Sequence, residues 1–365
     1  MSAADIAALF DRNRLRTARE LRGYTQVQLA REVGSVTAAS LSQFENGHAR
    51  PASSTLRRIS VALRVPLAFF ATPVRQVQED PDTGFFRSLR STSPRDRQRA
   101  LAYVRLAREF TFELEKFVLL PEHDLRRPEK DVTDVTPRTE IEALAYEVRR
   151  QWNIPSGPLE NVVRTLERHG IVTVRFPVGL DEVDAFSVPF PGRSVIALGA
   201  DKDLRDRSRF DASHELGHLV MHHPDQAGSK IIETQAHQFA AAFLMPEDQI
   251  KHELPTHADW PALLRLKAKW QVSIASLIMR ARTLNVMDEH AYSQAWKALS
   301  VRGWRKNEPG DLGRPESPVL LQRALGVAEG TGMTFEALVH DAGLPKADIC
   351  TILGRAEDPR PRVQL

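Results

Sequence analysis

The stretch Arg209–His223, RFDASHELGHLVMHH, decides what this chain is built to do. It contains His214-Glu215-Leu216-Gly217-His218, an H-E-x-x-H string in a helical run between Phe210 and Leu219-Val220-Met221. Positions i and i+4 share a helix face, so both imidazoles can reach one Zn2+. Glu215, next to His214, is placed to act on a water at the metal rather than on the metal itself. A site of this kind takes a third protein ligand. The extension that supplies a third histidine needs Gly at 221 and His at 224; Met221 and Pro224 stand there, so that class fails. Downstream, Glu233-Thr234-Gln235-Ala236-His237 gives E-x-x-x-H inside a helical pattern over Ile232–Met245, stopped by Pro246. Glu233 either completes a His2Glu set or is a first-turn carboxylate favoured by the helix dipole. Its distance downstream of H-E-x-x-H favours the ligand reading. His237, one turn on along the same face, is positioned to hydrogen-bond a ligand as outer support. A His2Glu set takes Zn2+ by default and accepts Mn2+.

The surrounding sequence reads as helices over Ile141–Trp152 and Leu159–His169, a β-branched strand over Ile171–Phe176, and short strands at Ala185–Val188 and Ser194–Leu198. Helices with a small sheet make an α+β domain. Ala185–Val188, if it is an edge strand, could hold an extended substrate by strand addition. His222, His223 and Tyr146 are candidates for stabilising an oxyanion, against helix-end capping for the histidines and core packing for the tyrosine.

Two elements, R-F-x-x-x-H-E-L-G-H in Arg209–His218 and E-x-x-A-[NH]-x-F-A-A-x-x-L-M-P in Glu233–Pro246, closely resemble the ImmA/IrrE family of metallopeptidases. The similarity spans roughly residues 139–285. It implies a zincin-like fold with His214, His218 and Glu233 as ligands and Glu215 as catalytic base. It also implies cleavage of repressor-type proteins in phage or mobile-element control and in the DNA-damage response. Asp211 and Ser213 stand where such proteins often carry Thr and Ala; Asp211 either caps locally or alters the cleft.

The other end of the chain carries a different signal. Between residues 10 and 75 there are eleven arginines (12, 14, 16, 19, 22, 31, 50, 57, 58, 64 and 75) and four acidic residues (11, 20, 32 and 45). The whole chain carries +3, so this module at +7 leaves about −4 on the rest. A basic module on an acidic remainder suits a polyanion, with a solvated basic face as the alternative. Helices read from Leu15 to Leu21, from an N-cap at Thr25 to Gly34, from an N-cap at Thr37 through Ala38–Phe44, and from Ser54 to Leu63. Two short helices across a Gly-containing turn form a helix-turn-helix. TQVQLAREVG (Thr25–Gly34) and SLSQFENGHARP (Ser40–Pro51) resemble the phage-repressor-type helix-turn-helix of XRE regulators over about 60 residues. The resemblance implies that Thr37–Phe44 lies in the major groove of an operator. The contact candidates are Thr25, Gln26, Thr37, Ala38, Ala39, Ser40, Ser42, Gln43 and Arg50. Ala38 and Ala39 offer only apolar contact, and Leu41 and Phe44 belong to the core.

Between the two modules, Glu79–Gly84 is a turn-rich break followed by Phe85–Arg90. Ser93-Pro94 then opens a long helix to about Leu119, striped by Val104, Ala107, Phe110, Leu114 and Phe117. That helix is either a spacer packed on the next domain or a dimerisation helix, since such repressor modules bind as homodimers. Residues 121–138 read as a Pro- and charge-rich linker. Residues 256–284 and Ala291–Val301 read as helical, Thr334–Leu353 as a small helical cap, and Glu357–Leu365 as a frayed tail.

No apolar run approaches about 18 residues, which excludes a transmembrane helix. The single cysteine, Cys350, excludes an intrachain disulfide framework and a multi-Cys metal site, and reads as a buried apolar residue. With no basic-then-apolar leader, the expected place is the cytoplasm. The expected organisation is mainly α with a small sheet. It comprises an all-α helix-turn-helix domain at 10–72, a linker and connecting helix at 73–138, a zincin-like α+β domain at 139–285, and a helical segment at 286–365. The expected function is a DNA-binding regulator with a zinc endopeptidase that cleaves an XRE-type repressor or antitoxin. The alternative is a transcription factor whose zincin-like domain only senses a metal or ligand; an intact Glu215 favours the peptidase, because a sensor has no chemical need for it.

Overall fold

The computed structural model describes residues 2–72, 93–176, 185–199, 204–223, 229–305 and 307–355. Glu79–Gly84, Phe85–Arg90, Arg75, Pro224 and the tail Glu357–Leu365, all read above, lie outside the described residues. The chain is mainly helical with one small sheet, in line with the α+β expectation.

The N-terminal part runs α1 (Ala3–Ala8), α2 (Arg12–Leu21), α3 (Gln26–Val33), α4 (Ala38–Asn46) and α5 (Ser53–Leu63), then a 3-10 turn at Leu67–Phe70. Local chemistry sets these ends. The Thr25 hydroxyl accepts from Gln28 N–H while the Gln28 side chain returns to Thr25 N–H, a capping box. Thr37 caps α4 by accepting from Ser40 N–H. Gly34 and Gly47 take the left-handed conformation that ends α3 and α4. Helix α1 escaped the sequence reading because it is short; Ile6 nevertheless reaches the core.

Next comes α6 (Pro94–Leu114), capped by Ser93 with Pro94 in the first turn. It ends at Leu114, short of the expected Leu119, and Phe117 of the expected stripe is 40 % exposed. Val104, Ala107, Phe110 and Leu114 are fully buried, packed within this chain against α2 and the sheet. The stripe therefore serves as an internal spine.

Helices α7 (Arg138–Gln151) and α8 (Val162–Arg168) lead into strands β1 (Val172–Arg175), β2 (Ala185–Val188) and β3 (Val195–Leu198). The order is β1-β3-β2, with β3 parallel to β1 and antiparallel to β2. Then follow α9 (Arg205–Met221), α10 (Lys230–Leu244), α11 (Glu247–Ile250), α12 (Trp260–Trp270), α13 (Ile274–Thr283) and α14 (Glu289–Val301). The helical run expected over 256–284 breaks at Gln271, which is left-handed, and restarts at the Ser273 cap. The C-terminal helices are α15 (Leu320–Gly330), α16 (Phe335–Asp341) and α17 (Lys346–Ile352).

The sheet is buried on both faces. Val172, Val174, Phe186, Val188, Val195 and Ala197 face a core shared with the N-terminal helices, α6 and α15–α17. Ala185, Ile196 and Leu198 face a second core built with α7–α14. The period-2 register thus sends Ala185 and Ser187 toward α9. The stretch 286–352 divides the same way: Ala295 and Leu299 of α14 join the second core, and α15–α17 join the first.

Polar ties lock the helix-turn-helix to the rest. Arg22 makes a bidentate pair with Asp348 of α17 at 2.7 Å on both arms, and buried Arg14 pairs with Glu109 of α6 at 2.6 Å. Gly343, left-handed at φ 64°, lies so close to the 3-10 turn that a Cβ there would stand 2.7 Å from Thr72 Oγ1.

Candidate functional site

Helix α9 is buried on nearly all sides, so its polar residues point into the interior of the domain. His214 and His218 lie one turn apart with their Nε2 atoms 3.0 Å from each other. Glu233, in the first turn of α10, brings one carboxylate oxygen to 3.3 Å from His214 Nε2 and the other to 3.6 Å from His218 Nε2. A tetrahedral Zn2+ with bonds near 2.0–2.1 Å spaces its ligands about 3.3 Å apart. Two imidazole nitrogens and a carboxylate oxygen converging at this spacing fit a divalent metal, and these three form a metal-competent group among the described residues.

Several contacts hold the two helices in place. Gly217 lets α10 approach: a Cβ there would meet Phe239 at 3.0 Å. The last carbonyls of α10 are taken by buried arginines, Phe243 O by Arg149 at 2.8 Å and Met245 O by Arg280 at 3.0 Å. Arg209 of the R-F motif is buried on α9. It pairs with Glu316 and donates to Leu159 O at 2.8 Å, which anchors the helix start. Behind His218, its Nδ1 stands 3.0 Å from His222 Nδ1; His222 Nε2 stands 3.1 Å from Gln235 Oε1; and Gln235 Nε2 donates to Thr133 O at 2.8 Å. His237 Nδ1 instead donates to the backbone carbonyl of Glu233 at 2.7 Å, and its ring packs edge-on to His214 at 4.5 Å.

The group opens into a cavity of about 530 Å3 whose lining includes Ala185, Phe210, Asp211, Glu215, His237 and Lys267. Asp211 is thus part of the cleft wall. Glu215 is buried, and its Oε2 accepts from the Ser187 hydroxyl at 2.8 Å. Burial pushes the Glu215 carboxyl up to about 7, against the opposing pull of His214 and the Ser187 hydroxyl. Burial likewise brings His222 down to about 4, and burial with three neighbouring histidines holds His218 far below its usual value. For His214, burial works downward, but Glu233, Glu215 and Asp211 outweigh it and raise the ring above its usual value.

The remaining expectations for this cleft fare differently. Strand β2 is an edge strand by its pairing among the described residues; Ala185 at its start lines the cavity, while Phe186 and Ser187 have no exposure. His222 is buried behind His218, and His223 pairs with Arg127 at 3.0 Å. Neither they nor Tyr146 belong to the cavity lining.

On the expected recognition helix α4, Thr37, Ala39 and Gln43 are exposed, while Ala38, Ser40 and Ser42 are half-buried. Thr37 and Ser40 hydroxyls meet at 2.9 Å, and Ser42 accepts from Asn46 at 3.2 Å. Thr25 is exposed at the α3 cap. Gln26 donates to Glu45 at 3.0 Å, and Glu45 is itself held by Arg19, so that amide is engaged inside the module. Arg50 donates to Ala8 O at 2.7 Å from an exposed position. Arg14, Arg19 and Arg22 are committed to internal carboxylates, so less of the basic excess faces solvent than the count suggests.

Residues 15–70 match the family model described as Helix-turn-helix, and residues 166–282 match the peptidase family model described as IrrE N-terminal-like domain. The chain is a fusion of an XRE-type helix-turn-helix with an IrrE/ImmA-like peptidase domain. No curated protein matches it. The IrrE-like match begins within α8, takes in the sheet and both site helices, and ends in α13. Sequence reasoning about this IrrE-like domain missed Ser187, Gln235 and Thr133. Period-2 alternation in β2 could have placed Ser187 on the α9 face, and Gln235 sits two residues after Glu233. Nothing local marks Thr133, which meets the site only through the fold.

Proposed function

We propose that this chain is a DNA-binding regulator whose IrrE/ImmA-like domain is a metal-dependent endopeptidase acting on a repressor-type protein, in stress, phage or mobile-element control. The carrying observation is the convergence of His214, His218 and Glu233 at one end of a cavity that also holds a buried Glu215. In this reading the DNA-binding part spans residues 10–72 and the peptidase part 139–285. His214, His218 and Glu233 hold Zn2+, with Mn2+ also compatible with the donor set. When bound, the metal polarises the scissile carbonyl and lowers the pKa of a water toward about 7.

The chain's own residues supply the proton chemistry. Glu215 takes a proton from the attacking water, whose oxygen adds to the carbonyl carbon. The same carboxyl then delivers that proton to the leaving nitrogen as the C–N bond breaks. Ser187 keeps the Glu215 side chain aimed into the cavity. Thr25, Thr37, Ala39, Gln43 and their neighbours face an operator from α3 and α4, with homodimeric binding following from the helix-turn-helix class. No described helix is long and apolar enough to cross a membrane, and a regulator of DNA works in the cytoplasm.

Metal content tests this reading at its base. The full chain and Glu215→Gln should each hold one Zn2+, and Glu233→Ala should lose it. Zinc retained equally by Glu233→Ala would remove the proposed centre.

A further inference from the structure

We propose that His222, Gln235 and the Thr133 carbonyl form a positioning relay that fixes which nitrogen of His218 faces the metal group. The inference rests on the metal-site reading above and concerns residues that lie outside the cavity lining.

The argument follows donors and acceptors from the backbone inward. The Thr133 carbonyl can only accept, so the Gln235 group facing it at 2.8 Å is the NH2. This orients the amide and leaves Oε1 facing His222 Nε2 at 3.1 Å. An amide oxygen only accepts, so His222 carries its proton on Nε2. A neutral imidazole has one donor and one acceptor, so His222 Nδ1 is the acceptor. It stands 3.0 Å from His218 Nδ1, which therefore donates. His218 Nε2 is left with its lone pair directed at His214 and Glu233. That is the tautomer a metal ligand needs, and each link in the chain is the only one compatible with the link before it.

His222 and Gln235 are buried, so water is no ready substitute for either. The anchor, Thr133, belongs to the segment between α6 and α7, and its turn is closed by Thr136 N–H donating to Thr133 O at 3.0 Å. A segment that reads as a linker thereby takes part in the site. His237 makes a different contact, its Nδ1 donating to the Glu233 backbone carbonyl.

The test uses the full chain with 15N-labelled histidine and a chromophoric chelator competing for Zn2+. In the metal-free wild type, the His218 ring nitrogens should show Nδ1 protonated and Nε2 bare. Gln235→Leu and His222→Leu should lose that fixed pattern and bind Zn2+ about 10–100-fold more weakly. Circular dichroism would show that each variant folds. An unchanged His218 pattern and zinc affinity in Gln235→Leu would overturn the relay. Neither readout depends on proteolysis, so a protein that shows the relay and cleaves nothing retires the peptidase reading alone. A wild type that binds no Zn2+ overturns the metal centre and the relay with it.

Discussion

Gly217→Ala is the substitution that asks most of the geometry between the two site helices. In an isolated helix, alanine gains about 1 kcal/mol over glycine, so local propensity favours the change. Packing opposes it. The new methyl would stand 3.0 Å from Phe239 Cδ1 and 3.2 Å from its Cβ and Cγ, about 0.5 Å inside a comfortable carbon–carbon contact. Phe239 is fully buried, and its Cβ is fixed to the α10 backbone, so a ring flip does not relieve the contact. Either α10 moves away from α9, or both side chains are strained, at about 1–3 kcal/mol. The net expectation is a loss of about 0–2 kcal/mol in urea unfolding. The functional effect is larger than the stability effect suggests. His214 and His218 ride on α9 and Glu233 on α10, so parting the helices by the roughly 0.5 Å that the contact lacks separates the donors by a similar amount. Metal sites must be held to within about 0.5 Å, so this shift takes up the whole tolerance and zinc affinity should fall about tenfold by chelator competition. A variant more stable than wild type, with unchanged affinity, would refute the view that Gly217 sets the helix spacing.

Other outcomes follow from the same structure. Burial pushes Glu167, which accepts from Val319 and Leu320 N–H at the start of α15, up to about 7. The folded chain thus holds this proton more tightly than the unfolded one, and the stabilising contribution is complete below about pH 4.5 and lost as pH rises through about 7. Wild type should therefore lose stability relative to Glu167→Gln between pH 5 and 7.5, and parallel urea profiles would contradict this. Arg22→Met leaves buried Asp348 with only the Tyr103 hydroxyl among its described side-chain partners, at a cost of about 3 kcal/mol; a loss below about 1 kcal/mol by denaturation would show that the clamp is not structural. Operator binding should weaken steeply as salt is raised from 50 to 200 mM. Gln43→Ala should cost about 1–3 kcal/mol of discrimination at one base pair, read by competition between operator variants; equal affinity at all salts would rule out a phosphate-tracking interface.

The parts of this fold that were legible from sequence are those written in local chemistry. Thr25, Thr37, Gly34 and Gly47 announce helix ends because caps and left-handed turns have few residue solutions. The His214–His218 pair is legible because helical spacing turns sequence distance into a shared face, and Glu233, on a second helix, is legible only from its place downstream of that motif and from the family resemblance. What stayed hidden depends on partners distant in the chain. Helix α6 reads as an amphipathic stripe, but only the fold shows that α2, the sheet and α15–α17 fill its surroundings. Gln26 and Arg50 read as DNA contacts from sequence, and only the fold shows that they also hydrogen-bond Glu45 and the Ala8 carbonyl. Sequence position suggests His237, one turn after Glu233, as outer support; only the fold shows its Nδ1 on the Glu233 backbone carbonyl and His222 behind His218. Helix periodicity places a residue on a face and says nothing of which neighbour waits there.

Peptide-bond hydrolysis that depends on Glu215 is the central claim, and protein N-termini across the host proteome test it most directly. Cells carrying wild type or Glu215→Gln would be compared with and without DNA damage, since the substitution keeps the three donors and removes the base. A new N-terminus inside a repressor-type protein, present only with wild type, is the predicted result and names the substrate. Identical N-termini under every stress, with operator binding intact in both strains, would contradict the peptidase and leave a DNA-binding protein whose IrrE/ImmA-like domain senses a ligand.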